Sequence, residues 1–305
     1  MSETLKISVV ICTYNRCVYI RDAMESLYNQ TLAKEAYEVI IVNNNSTDHT
    51  QQVCEHFIAS HGDANFSYYN EAKQGASFAR NTGASYARSP LLCFMDDDAI
   101  ADKDYLERIV RFFDTYPDAG GLGGRIIPRY IPNEPVWMSH YVSSLVGHFH
   151  YSTHTTVFAP NKYPLESNMI IRKADFDEIG GFNEALPGVV GTLRIGGEGK
   201  DFFFRLKELG RTIYYDPSIR VHHVVETIKL TREYMYRVAS GIGRGERVRT
   251  LQKGKWTFYK KIFEYLFKLG ASMILAIYYT LQGKPAKALP VIRFRIDALK
   301  GLLNH

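Results

Sequence analysis

"LLCFMDDDA", Leu91 to Ala99, is five apolar residues running straight into three carboxylates, Asp96, Asp97 and Asp98. An apolar run without alternation reads as a strand covered on both faces, the habit of parallel sheets. Three adjacent carboxylates repel one another at neutral pH. At the end of a buried strand they are expected to face a cation or a polar ligand. Alternate side chains on an extended backbone share a direction, so Asp96 and Asp98 are expected to point one way and Asp97 the other.

The same pattern recurs upstream. "KISVVICTYNR", Lys6 to Arg16, and "YEVIIVNNNSTDHT", Tyr37 to Thr50, are apolar runs that end in polar turns. Helical stretches are expected between them. One covers Tyr19 to Asn29, and another starts at "STDHT" with Ser46 or Thr47 as N-cap and Asp48 in its first turn. "GASFARNTGASYA", Gly75 to Ala87, reads as a third, and Ala99 to Phe113 as a fourth. Strands alternating with helices imply an α/β fold with a parallel sheet, whose ligands bind outside the carboxyl ends of the strands. All three strand ends are polar there: Thr13 to Arg16, Asn43 to Asp48, and Asp96 to Asp98. No GxGxxG follows the first strand, "GGLGG" at Gly120 to Gly124 lacks that spacing, and no Walker loop occurs, so dinucleotide and P-loop sites are excluded.

The chain has 305 residues, enough for one large domain and an appendage. From Lys229 onward it holds 16 Lys/Arg against 4 Asp/Glu, whereas the preceding part holds 21 against 28. An acidic body would repel a nucleic-acid backbone; a basic, aromatic tail suits an anionic membrane surface. The apolar stretch Leu269 to Leu281 falls short of the roughly 20 residues of a spanning helix. An interfacial helix pair, with "ALPVIRFRIDALKGLL" as its second member, or ordinary core packing is expected instead. The four cysteines form no CxxC pair and read as reduced thiols of a cytoplasmic protein. No signal peptide is apparent.

Taken in order, "SVVICTYNR", "VNNNSTDHT", "GASFARNTG", "FMDDDA", "SNMIIRK", "IGGFNE" and "YYDPSIRVHH" resemble the family-2 glycosyltransferases over about Lys6 to His223. The resemblance implies a GT-A type, Rossmann-like, mostly parallel sheet flanked by helices, here with a C-terminal helical amphipathic region. It divides the chain into a catalytic domain, 1–225, with a nucleotide-sugar half (1–124) and an acceptor-side half (125–225), and a basic region, 226–305. It implies inverting transfer from a nucleotide-sugar, helped by Mn²⁺ or Mg²⁺. Thr13, Tyr14, Arg16, Asn43 and Arg80 would line the nucleotide pocket. Asn43 stands where relatives usually have Asp, which weakens but keeps a lean towards a UDP-sugar.

Asp96 would lie near the ribose or diphosphate with Asp97 beside it, and Asp98 would bind the metal, joined by His223. The general base is expected in an acidic pair before the helix that carries Arg205. Here the pair reads Glu198-Gly199, so its Asp is missing; Glu198 is the first choice and Asp201 the second. The acceptor would be a polysaccharide or lipid-linked glycan on the cytoplasmic membrane face, with the enzyme bound peripherally. Two rivals stand beside this reading. A sugar nucleotidyltransferase would want a glycine-rich loop after the first strand, which "CTYNRCVY" lacks. A non-catalytic glycan or nucleotide-sugar binder is kept open by Gly199.

Overall fold

The computed structural model describes residues 5–304. Its strands are β1 (Ile7–Thr13), β2 (Tyr37–Asn43), β3 (Phe66–Asn70), β4 (Leu91–Asp96), β5 (Ala99–Ala101), β6 (Ala119–Tyr130), β7 (Thr156–Val157), β8 (Asn168–Arg172), β9 (Gly188–Val190), β10 (Leu193–Ile195) and β11 (Thr212–Val225). Its helices are α1 (Ile20–Tyr28), α2 (Thr50–Ser60), α3 (Ala76–Tyr86), α4 (Tyr105–Thr115), α5 (His140–Ser143), α6 (Lys173–Glu178), α7 (Glu198–Glu208), α8 (Arg232–Gln252), α9 (Lys255–Leu281) and α10 (Ala288–Leu303). The main sheet runs β3-β2-β1-β4-β8-β6-β11-β5, with β7 on β11. The first four of these strands are parallel. From β8 onward the observed pairs are antiparallel. The α/β class and GT-A type are as expected, and the sheet is mixed, parallel from β3 to β4 and antiparallel beyond.

The apolar strands are buried on both faces for the reason their sequences suggest. Ile7, Val9 and Ile11 of β1 join one core with α1, α2 and α4. Val10 faces the other core, with Phe94 and the α6 and α7 residues Phe176, Phe202 and Phe203. Two local expectations need correction, and one strand was not foreseen. Helix α2 starts at Thr50, after His49, so neither Ser46 nor Thr47 is its N-cap. The segment after the triple Asp is first a strand, β5, and helix begins only at Tyr105, because β5 pairs antiparallel with β11. Edge strand β3, "FSYYN", is too short and too polar to stand out in the sequence.

The chain forms two compact units, one of 1–127, 149–183 and 199–223, the other of 128–148, 184–198 and 224–305. Neither unit is one continuous stretch of the chain. In the second unit Met138, Val142 and Val146 share a core with Val225, Met235 and Val291, and Gly196 bonds its N–H to the carbonyl of Gly241. Helices α8 and α10 cross backbone to backbone, since a Cβ on Gly243 or Gly301 would overlap the partner helix's main chain. Part of the basic excess is spent internally. Arg232 pairs with Asp297, and Arg249 and Lys261 with buried Glu246.

Helix α9 is 27 residues long, well beyond the apolar run read from the sequence, and by length and composition alone it could cross a membrane. Its most exposed large residues, Trp256, Phe263, Phe267, Ile274 and Leu281 (each over 70% exposed), recur at 7, 4, 7 and 7 positions. At 100° per residue they form a single stripe. Buried Tyr265, Ser272 and Ala276 lie on the opposite side.

In the first unit, buried Asn168 joins several elements. Its amide nitrogen donates to the carbonyls of Arg125 and Ile219, both at 3.1 Å, and its oxygen accepts from the Tyr105 hydroxyl at 2.9 Å. An Asn168→Leu variant would remove all three bonds, leaving the Tyr105 hydroxyl with the Cys93 thiol alone. It should lose on the order of 3 kcal/mol of stability, read as a lower urea midpoint with unchanged slope.

Candidate active site

Parallel register sets Thr13 beside Asn43 and Cys12 beside Asp96. The polar turns after β1, β2 and β4 therefore share one sheet edge. Asn15 takes a left-handed backbone (φ 53°). This folds the first turn back so that the Asn15 side-chain oxygen accepts from the Thr47 N–H at 2.8 Å and its own N–H donates to Ser46 Oγ at 2.9 Å. Asp48 accepts from the Thr50 and Cys17 N–H groups. Burial would raise its carboxyl, but the Thr50 hydroxyl, the Thr50 N–H and the Cys17 bonds win and pull it down to about 2. Asp48 thus caps and laces; it is not aimed at a ligand.

The metal-type cluster forms at the end of β4. Ligand atoms of Asp96, Asp98 and His223 all lie within 4.8 Å of one another. His223 Nε2 is 3.0 Å from Asp98 Oδ1 and 3.9 Å from Asp96 Oδ2. Strand alternation explains which histidine takes part. His223 sits opposite Ala99 and turns to the carboxylates, whereas His222 sits opposite Ile100 and meets Asp102 at 3.1 Å. Two carboxylates and an imidazole suit a divalent ion of Mn²⁺ character, and Mg²⁺ less well because it favours oxygen donors.

Asp97 turns towards Arg16, whose Nε lies 3.9 Å from Asp97 Oδ1 and whose Nη2 lies 3.9 Å from Asp98 Oδ2. Burial, then the charge of Asp98, push the Asp97 carboxyl upward, while Arg16 opposes the shift. Cys12 lies among Arg80, Asp96 and Asp97: desolvation pushes its thiol up to about 12, Arg80 pulls it back, and the two carboxylates reinforce it. Arg80 is therefore within electrostatic reach of the cluster, and its guanidinium lies 5.4 Å over the Phe182 ring.

Thr13 is buried and Tyr14 is 38% exposed at the same edge. Both ends of Asn43 have protein partners: its oxygen accepts from the Ser46 N–H at 3.0 Å, and its nitrogen donates to the Tyr68 hydroxyl at 2.8 Å. Asn44, which the sequence reading passed over, donates to the carbonyls of Glu71 and Lys73 and accepts from the Gly75 N–H, shaping the loop into α3.

Glu198 opens α7 and is buried. Asp201 accepts from Arg205 Nε at 2.8 Å, and Arg205 also donates to the carbonyls of Ile179 and Gly181. Asp201 is thus part of a structural ion pair, as its i,i+4 spacing suggests.

This edge gathers a carboxylate–imidazole cluster at the end of a mixed sheet. The family model described as "Glycosyl transferase family 2" matches residues 8–180, more than half of the chain, and the chain belongs to that family. It is accordingly a glycosyltransferase. Among similar proteins is the glucosyl-dolichyl phosphate glucuronosyltransferase of Haloferax volcanii, 27% identical over 72% of this chain and 69% of that protein. Another is the dolichyl N-acetyl-α-D-glucosaminyl phosphate 3-β-D-2,3-diacetamido-2,3-dideoxy-β-D-glucuronosyltransferase of Methanococcus voltae, 29% identical over 39% of each chain. Several curated relatives match over only a third or so of their length, such as EpsH of Bacillus subtilis at 30%. Among solved structures, a mannosyltransferase from Pyrobaculum calidifontis, in complex with GDP-mannose and Mn²⁺, has a TM-score of 0.64 at 16% identity, covering 98% of this chain and 87% of its own. S. aureus TarS 1–349 with UDP has a TM-score of 0.54 at 21% identity, covering 78% and 65%. These two likenesses concern the fold.

Mn²⁺ titrated into the purified protein should bind on the order of 100-fold more weakly in Asp98→Asn, since even outer partners of a metal ligand count for roughly 10–100-fold. Asp97→Asn should lose clearly less. Equal losses in the two variants would remove the distinction between these neighbours.

Proposed function

We propose that the chain is an inverting glycosyltransferase. It moves a sugar from a nucleoside-diphosphate donor, a UDP-sugar, onto a polysaccharide or lipid-linked acceptor. The observation that carries this reading is the convergence of Asp96, Asp98 and His223 at the carboxyl edge of the sheet. Asp98 and His223, with Asp96 alongside, would hold Mn²⁺ or Mg²⁺. When bound, the ion supplies positive charge to the diphosphate leaving group.

The chain's own residues do the rest. Arg16 and Arg80 add fixed positive charge for the diphosphate, and Asp97 keeps Arg16 oriented. Thr13, Tyr14 and Asn43 sit towards the nucleoside. The acceptor hydroxyl oxygen attacks the anomeric carbon as the bond to the diphosphate breaks, and the bonding pair leaves with the diphosphate. The acceptor's proton passes to a carboxylate at the head of α7, where Glu198 and Asp201 were expected to serve. Asp201 is already committed to Arg205. In this reading residues 1–225 carry transfer and 226–305 the membrane contact.

The Haloferax relative's lipid-linked substrate, named in its description, supports a lipid-linked acceptor here. So does the aromatic stripe of α9, with Lys255, Lys260 and Lys284 near its ends. The enzyme would sit peripherally on the cytoplasmic face of the membrane.

Two measurements test the reading. With Mn²⁺, an isoprenyl-phosphate glucose acceptor and a panel of UDP-, GDP-, CDP- and dTDP-sugars, one donor, a UDP-sugar, should be consumed. Asp98→Asn should slow that consumption by at least ~100-fold. No consumption of any donor would overturn it. In flotation with phosphatidylglycerol-containing vesicles, the triple variant Phe263→Ser, Phe267→Ser, Ile274→Ser should lose at least ~10-fold in partitioning, as three apolar anchors are removed. Unchanged flotation would leave the membrane contact without support.

A further inference from the structure

A carboxylate that belongs to neither of the expected positions lies at the head of α7. The Gly199 N–H, in the first turn of that helix, donates to Glu166 Oε1 at 2.9 Å. A Cβ built on Gly199 would fall on the Glu166 side chain, meeting its Oε1, Cδ and Cγ. Glu166 therefore occupies the volume that any side chain at position 199 would claim. Thirty-three residues separate the two in sequence, and only the fold brings them together.

The other end of Glu166 is set by the sheet. Strand β4 pairs with β8 as far as Met95 opposite Asn168. Glu166 lies two residues before Asn168, where β4 runs out into Asp96, Asp97 and Asp98. The ladder ends there, and the turn closed by the Asn168 N–H on the Leu165 carbonyl holds Glu166 just beyond the end of β8 that pairs with Met95. Glu166 is half-buried, whereas Glu198 is 5% exposed. A base must meet an incoming hydroxyl, so access matters. Asp201 is held by Arg205.

We propose that Glu166 is the general base of glycosyl transfer in this chain, its carboxylate standing in the space left by Gly199. This rests on the glycosyltransferase reading above. The acceptor O–H bond breaks, its electron pair forms the new C–O bond at the anomeric carbon, and the proton goes to a Glu166 carboxylate oxygen. The C–O bond to the diphosphate breaks, and its pair leaves with the diphosphate. The absence of a side chain at Gly199 then marks a relocated carboxylate rather than a lost activity.

The test uses the full chain with Mn²⁺, the nucleotide-sugar that the wild type consumes fastest, and isoprenyl-phosphate glucose in detergent. Glu166→Gln keeps an oxygen for the Gly199 N–H, so a purely structural cap would survive it. The proposal expects kcat to fall ~100–1000-fold with KM and Mn²⁺-dependent UDP binding within about threefold of wild type. The double variant Glu166→Gly, Gly199→Asp moves the carboxylate across the same gap and should recover at least ~10-fold of that loss. Wild-type kcat in Glu166→Gln overturns the proposal and leaves the glycosyltransferase reading intact. So does a double variant with unchanged Tm that recovers nothing. A wild type that consumes no donor overturns the reading and this proposal together.

Discussion

Like charges held close at a strand end must be compensated, and the placement of Asp96, Asp97 and Asp98 organises the first unit around that need. The buried strand β4 ends in Asp96, and Asp97 and Asp98 follow in the turn before β5. Three elements answer the charge. Asp97 and Asp98 meet Arg16 from the turn after β1. Asp98 meets His223 from β11. Arg80 contributes from α3 at longer range. The turn after β1 is in turn fixed by Asn15, Asp48 and Thr50. In the function proposed above, groups held in place by such bonds before a ligand arrives are what electrostatic stabilisation of a departing diphosphate requires.

The sequence carried the parallel half of the fold well, because β1, β2 and β4 are unbroken apolar runs with polar ends. It carried the short edge elements badly. β3 mixes Ser and Asn with tyrosines, and the three residues of β5 are indistinguishable from a helix start. Missing β5 had a consequence, since its pairing with β11 is what brings His223 to Asp98. His223 was nonetheless anticipated, through family likeness rather than through any local pattern. Glu166 was invisible for a physical reason. Its meaning lies in an empty Cβ position 33 residues away, and no periodicity or spacing encodes that contact.

The second unit shows the limits of reading charge alone. A tail with 16 basic residues looks like a polyanion surface. Several of those cations are tied to Asp297, Glu246 and Glu264 instead. What remains unusual is α9, a helix that buries small residues such as Ser272 and Ala276 beside Tyr265 and exposes Trp256, Phe263 and Phe267. That inversion is costly in water and favourable at a lipid interface.

The central claim is that Asp98 and His223 hold the divalent ion of a nucleotide-sugar site. Anomalous scattering at the manganese edge, from crystals grown with Mn²⁺ and UDP, tests it most directly. The account predicts one strong peak bonded to Asp98 and His223, with the diphosphate beside it and Arg16 near. A UDP bound at the sheet edge with no anomalous peak between Asp98 and His223 would contradict it.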